Sequence, residues 1–255
     1  MATANYYPKV SRRESSEQLL VRPDGIASNR VSWIRQTDVF GNLRSADLAE
    51  VADTAKERNF SSRSAIFCED DPVYFVFIIV SGRVKVTQSS REGKEVILRI
   101  NGAGDIVDEL GLVPGSTHKF TALAIESCHL LAWERQIFQS FTQRFPSLQS
   151  SVTNVLASRL YALQQRFCAL ATEHVPQRLA RTLLSLTEHH AEFANGAKLI
   201  GLSCEELAQM TGTTVFTVSR LLTQWTECGI IHTERRSVLI ENLSELSDLA
   251  EGKDS

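Results

Sequence analysis

Arg220 lies within the stretch TGTTVFTVSRLLTQW, residues 211–225. Its guanidinium is a planar fork of donors. Such a fork matches the O6 and N7 acceptors of guanine in a DNA major groove, discriminating by about 1–3 kcal/mol per base pair. The neighbouring side chains supply complementary chemistry. Ser219 can bond a base edge or a phosphate, and Val215 and Phe216 offer apolar surface to a thymine methyl. The hydroxyls of Thr214 and Thr217 can cap a helix and reach phosphates. The same stretch must also position these groups. Val218, Leu221, Leu222 and Trp225 recur at i, i+3, i+4 and i+7, which predicts one buried helix face. Val215, Phe216, Ser219, Arg220 and Thr223 fall on the opposite face.

The flanking elements complete the arrangement. Ser203 with Glu206 three residues on is a capping box, so a helix starts there and ends at Thr211–Gly212. Helix, glycine turn, helix is the helix-turn-helix order, whose second helix enters the major groove. GIIHTERRSVLIE then predicts a β-hairpin, a wing, with Arg235 and Arg236 at its tip. Upstream, Pro176 marks a helix start, and Leu179, Leu183, Leu184 and Leu186 form its apolar face. A competing reading is a three-helix packing motif that binds protein. Residues 175–255 carry seven Lys/Arg and eleven Asp/Glu, a net −4, which weakens non-specific attraction to phosphates. Pairing of two copies offsets this by presenting two helices to a palindromic operator with half-sites one turn apart.

Two further regions have their own texture. Between about residues 60 and 133, YFVFIIV, GRVKVTQ, EVILRI and HLLAW are short β-rich runs separated by turn material. This pattern predicts a jelly-roll barrel. From Arg135 to Thr172 there is no glycine, and Pro146 is the only proline. Leu156, Leu160, Leu163, Phe167 and Leu170 step by 4, 3, 4 and 3, a heptad seam suited to a homodimer interface, with Arg159, Gln164, Gln165 and Arg166 beside it. The expected organisation is a disordered arm at 1–30, a sensor roll at 31–145, a dimerisation helix at 146–173 and a winged helix-turn-helix at 174–250. The fold class is α+β.

Bulk properties narrow the function. In 255 residues, 43% are hydrophobic, 22% are charged and the net charge is −3, so bulk charge advertises no polyanion partner. No apolar run reaches bilayer length, and the N-terminus lacks the apolar core of a secretory signal, which points to a cytoplasmic protein without membrane association. Five scattered cysteines with no CxxC pair fit reduced thiols, and no metal site is expected. No GxSxG, P-loop, HExxH or paired catalytic carboxylates occur in suitable context, so an enzyme ranks far behind.

The order of β-roll, long helix and winged helix-turn-helix resembles the CRP/FNR family of bacterial transcription regulators over almost the whole chain. FCEDDPVYFVFIIVSGRVKV resembles its strand–turn–strand segment, with Gly82 in the turn. GAGDIVDELGL is similar to the start of its phosphate-binding cassette, QRLARTLLSL to the first helix of its DNA-binding domain, and TTVFTVSRLL to the recognition helix of the FNR branch. The resemblance implies an effector pocket around Glu109, Leu110, Gly111, His118, Lys119, Leu163 and Gln164. It also implies contact with RNA polymerase.

The departures bear on mechanism. Asp108 stands where cyclic-AMP receptors have glycine. His118–Lys119 or Lys119–Phe120 stands for the Arg-Ser pair, and Leu163–Gln164 for the adenine-reading Thr-Ser pair. Together these argue against cyclic AMP as effector. The N-terminal arm has no cysteine, so the iron–sulfur chemistry of the oxygen-sensing branch is not expected. His118 or His129 are haem-ligand candidates, and Cys68 and Cys128 are either redox-active or simply buried thiols. Phe216 replaces the glutamate with which the main branches read cytosine, so a half-site unlike TTGAT or TGTGA is expected. A sensor acting through protein contacts remains the alternative to a DNA-binding regulator.

Overall fold

The computed structural model describes residues 26–108, 115–189, 192–194 and 197–253. Two short helices, α1 (Ile26–Arg35) and α2 (Ser45–Asp53), precede the strands. Thus α1 begins inside the stretch assigned to the arm. The roll is built from β1 (Lys56–Phe60), β2 (Ala65–Phe67), β3 (Phe75–Ser81), β4 (Val84–Ser89), β5 (Glu95–Asn101), β6 (Ile106–Val107), β7 (Thr121–Ala124) and β8 (Cys128–Glu134). They form two four-stranded sheets in the orders β1-β8-β3-β6 and β2-β7-β4-β5. All the pairings are antiparallel.

The four apolar runs read from the sequence become β3, β4, β5 and β8. Their inward side chains make the roll interior, including Phe77, Ile79, Val84, Val86 and Leu130. The β3–β4 turn depends on Gly82. Its φ is +86°, and a Cβ there would sit 2.6 Å from the Ser127 carbonyl oxygen and 2.7 Å from Cys128 Sγ. A second core lies where α1, α2, α3 (Arg135–Arg144) and the start of α4 (Pro146–Thr172) cover the outer face of the roll. Trp133 is fully buried there, and its Nε1 donates to the Val51 carbonyl at 2.8 Å. Pro146 sits at the first turn of α4, where its missing N–H costs nothing.

The third core belongs to α5 (Val175–His189), α6 (Cys204–Thr211), α7 (Val215–Glu227) and α8 (Leu243–Glu251). Beside these helices lies a sheet ordered β11-β12-β10-β9, made of β9 (Glu192–Ala194), β10 (Ala197–Ile200), β11 (Ile231–Glu234) and β12 (Ser237–Ile240). The predicted hairpin is β11–β12, and β9–β10 extends it. This third core also takes in Ile97 and Ile100 from β5. The helical domain is therefore seated on its own roll.

No helix among the described residues is long and apolar enough to cross a membrane. Leu148 has no exposed surface and anchors the first turn of α4 in the second core. Leu148→Ala is expected to lower the unfolding free energy by about 2–5 kcal/mol, read from urea denaturation.

Candidate functional site

The stretch from Ser203 to Trp225 folds as its spacing predicts. Ser203 caps α6 by accepting from the Glu206 amide, and the Glu206 carboxylate accepts from the Ser203 amide at 2.9 Å and from its hydroxyl at 2.8 Å. Gly212 ends the helix in the left-handed region, φ 65°. Thr214 caps α7 by accepting from the Thr217 amide at 3.1 Å, and the two hydroxyls lie 2.9 Å apart. Val218, Leu221, Leu222 and Trp225 are buried. Val215, Phe216, Ser219, Arg220 and Thr223 face solvent, with Phe216 78% exposed. A phenyl ring that exposed contributes nothing to its own core.

Arg235 and Arg236 occupy the β11–β12 turn, both exposed, with Arg236 at φ 78°. Arg236 Nη2 lies 3.9 Å from Glu206 Oε2, and Lys85 Nζ of β4 lies 4.0 Å from Glu206 Oε1. The capping carboxylate is thus also the point where roll, α6 and wing meet. This convergence has no signature in the local sequence.

On α4 the heptad seam divides. Leu160, Leu163, Phe167 and Leu170 are 46–70% exposed. Leu156 packs instead against the second core of its own chain. The arginines read as flanking the seam turn toward the protein. Arg159 Nη2 donates to the Ile106 carbonyl at 2.7 Å, and Arg166 Nη1 donates to the Leu98 carbonyl at 2.8 Å. Arg166 Nη2 donates to the Met210 carbonyl of α6. Burial holds the Arg166 guanidinium below its usual pKa.

Of the residues expected at the effector pocket, His118, Lys119, Leu163 and Gln164 are described. Glu109, Leu110 and Gly111 lie outside the described residues. His118 is buried, with Nδ1 on the Asp108 carboxylate and its ring flat on Phe67, 3.7 Å between centroids. Lys119 points outward, its Nζ donating to Thr117 Oγ1 at 3.2 Å, and Leu163 and Gln164 are exposed on α4. Asp108 takes φ 63° where the family has glycine, which explains how the exchange is accommodated: aspartate tolerates the left-handed region better than most residues.

Arg99 is a polar group of the roll that no sequence motif marks. It lies over the Phe120 ring at 4.8 Å, and its Nε donates to Asn101 Oδ1 at 3.1 Å. Burial pulls its pKa down to about 10, against the pull of Asp108 and Asp105. Its only sequence signal was a charge inside an apolar strand.

The haem and redox candidates are engaged elsewhere. His129 Nε2 lies 3.1 Å from Glu57 Oε2, and its ring meets Trp33 edge-on. Burial, reinforced by Asp71 for Cys68 and by Glu126 for Cys128, pushes both thiols up in pKa. That lowers their thiolate fraction and their reactivity.

Comparison with known proteins agrees with this layout. Residues 57–145 match the cyclic nucleotide-binding domain, and residues 177–249 match the Crp-like helix-turn-helix domain. The chain is 26% identical over 216 residues to a CRP-like cAMP-activated global transcriptional regulator of Mycobacterium tuberculosis, covering 84% of this chain and 96% of that protein. The structure of a CooA mutant from Carboxydothermus hydrogenoformans superposes with a TM-score of 0.64 at 27% identity, covering 79% of this chain and 90% of the other. The c-di-GMP responsive global regulator CLP of Xanthomonas campestris shares the fold. Its TM-score is 0.68 at 23% identity, over 77% of this chain and 99% of that one.

The α6–α7 turn gives a direct stability test. A Cβ on Gly212 would lie 3.0 Å from Leu170 Cδ2 in a left-handed backbone. Gly212→Ala is expected to cost about 1–2 kcal/mol, and Thr214→Ala about 1 kcal/mol through the lost cap. Both are read from thermal melting.

Proposed function

Because the chain belongs to the CRP/FNR family of transcriptional regulators, with a cyclic nucleotide-binding domain and a Crp-like helix-turn-helix domain, we propose that it acts as a homodimer on a palindromic operator, reading each half-site through Arg220 and Phe216. Regulators of this family bind DNA as dimers and are not enzymes. The observation that carries the reading is the outward face of α7. It bears one fork of donors and one exposed ring, above a fully packed opposite face.

Arg220 bonds guanine O6 and N7, and Ser219 a base edge or phosphate. Phe216, with Val215, covers a thymine methyl where a carboxylate would have read cytosine. Thr214, Thr217, Arg235 and Arg236 engage phosphates and fix register without reading sequence. The wing arginines do so in competition with Glu206, since Arg236 lies near its carboxylate.

Dimerisation is supported by Leu160, Leu163, Phe167 and Leu170, an apolar stripe at heptad spacing left bare on a 27-residue helix. Burying it on a second copy removes that surface from water at about 25 cal/mol per Å2.

The effector is not cyclic AMP. Asp108, at the position where cyclic-AMP receptors have glycine, is buried against His118. His118 fills space against Phe67, and Lys119 is turned outward. Lysine offers a phosphate a point charge but lacks the bidentate fork of the family's arginine, which weighs against a cyclic nucleotide. Transcriptional output goes through RNA polymerase, with the effector biasing the setting of α4 and the two DNA-binding domains.

Two measurements test this. Selection from random duplex DNA is expected to enrich a palindrome whose half-sites contain thymine and guanine but match neither TTGAT nor TGTGA. Arg220→Ala is expected to weaken binding to the selected site by about 1–3 kcal/mol per half-site and to relax the guanine preference. Separately, Leu163→Glu with Phe167→Glu is expected to leave the chain folded but monomeric in analytical ultracentrifugation, with operator binding lost.

A further inference from the structure

One carboxylate sits at the junction of roll, α6 and wing. Glu206 is buried, and its Oε2 already accepts from the Ser203 amide and hydroxyl. Two cations from other elements reach the same group. Lys85 Nζ of β4 lies 4.0 Å from Oε1, and Arg236 Nη2 of the wing lies 3.9 Å from Oε2. Both separations exceed hydrogen-bond length, so the attraction is coulombic and either cation can withdraw without breaking a bond.

The two cations differ in freedom. The roll holds Lys85 in place. Its side chain is 19% exposed, and its Nζ also lies 3.6 Å from Glu95 Oε1 of β5. Two residues earlier, Arg83 is clamped by both oxygens of Glu126, at 3.1 and 2.9 Å. A Cβ on Gly201 would lie 2.9 Å from Arg83 Nη2, so the chain leading into α6 runs directly against the roll. Arg236 is the looser partner. Its side chain is 55% exposed at a two-residue turn. Among the described residues, Glu206 is the sole carboxylate within 4.0 Å of it, and its neighbour Arg235 makes no ion pair.

A carboxylate divides its attraction among the cations beside it. Lys85 offsets part of the Glu206 charge where little solvent screens the pair. It also repels Arg236 across that carboxylate, and the exposed, less constrained cation is the one that yields. Without Lys85, Arg236 faces an anion with no competing cation from the roll. Its guanidinium is then withheld from a phosphate.

We propose that Lys85 is a positioning residue for DNA binding: from the roll, and without touching the duplex, it shares Glu206 with the wing and so releases Arg236 to the phosphate backbone. The inference rests on the regulator reading. Phosphate contacts carry no sequence information, so Lys85 acts on affinity and salt dependence and leaves the half-site preference unchanged.

The test is fluorescence anisotropy of the full chain on a mixed-sequence duplex about three helical turns long, over a salt series. Glu206→Gln removes the charge but keeps the capping box, since glutamine serves at that position. It is expected to tighten binding by the dimer about fourfold or more, at least about twofold per wing. The slope of log affinity against log salt is expected to steepen by about two, one for each wing. Lys85→Gln is expected to weaken binding by a similar factor, and Lys85→Arg to restore it. The deciding measurement is a pair of cycles. Lys85→Gln made on Glu206→Gln, and Glu206→Gln made on Arg236→Gln, are each expected to change affinity by no more than about twofold. Arg235→Gln is expected to cost the same with either residue at 206. Additive effects in both cycles would mean that Lys85 and Glu206 act on DNA as independent charges, and they overturn the proposal. Unchanged affinity in Glu206→Gln overturns it as well, with the regulator reading intact. Failure of the unsubstituted chain to bind the duplex at low salt overturns that reading and this inference together.

Discussion

Arg166 ties three parts of the chain with one guanidinium: it grows from α4, donates to the Leu98 carbonyl of β5, and donates to the Met210 carbonyl of α6. A half-buried charge is costly unless its donors are satisfied, and here backbone acceptors on two other elements satisfy them. The long helix is thereby held to the roll on one side and to the helix-turn-helix at its far end. Arg159, seven residues earlier on the same face, repeats the attachment at Ile106. With these arginines committed to their own chain, the adjacent apolar stripe of Leu160, Leu163, Phe167 and Leu170 is left exposed. The direction in which α4 presents its leucines is therefore set by where its arginines are bonded.

The seating of the helical domain follows from the same attachment. Ile97 and Ile100 of β5 lie in the core of α5–α8, so the roll and the helical domain share apolar surface as well as polar links. Glu206 concentrates the polar part. It closes the α6 capping box while lying within 4.0 Å of Lys85 on the roll and 3.9 Å of Arg236 on the wing. Any change in the roll that moves β4 or β5 reaches the start of α6 directly. This contiguous patch, with α4 alongside it, joins the roll to the helix-turn-helix domain.

Inside the roll, several polar groups meet one another or an aromatic ring. Asp108 and His118 bond each other, His118 lies flat on Phe67, and Arg99 lies over Phe120. Polar groups at this depth persist only when they satisfy one another. A groove beside α4 is different: its polar groups line open space rather than close it.

Much of this was legible along the chain. Period-2 apolar runs marked β3, β4, β5 and β8. The i, i+3, i+4, i+7 stripe marked α7 and its outward residues, and Ser203 with Glu206 marked the start of α6. Each of these signals is local, because propensity, pattern and capping act within one element. The β9–β10 pair went unread although Asn195–Gly196, a strong hairpin dipeptide, stands between its strands in the sequence. The tertiary structure alone decided which way α4 faces, which of its seam residues stay bare, and that Leu156 packs at home. It alone placed Arg99 and Arg159 on one groove and brought Glu206 to Lys85 and Arg236. These depend on how separate elements dock, and a charge in the sequence does not say whether it meets solvent, a carbonyl or another charge until that docking is done.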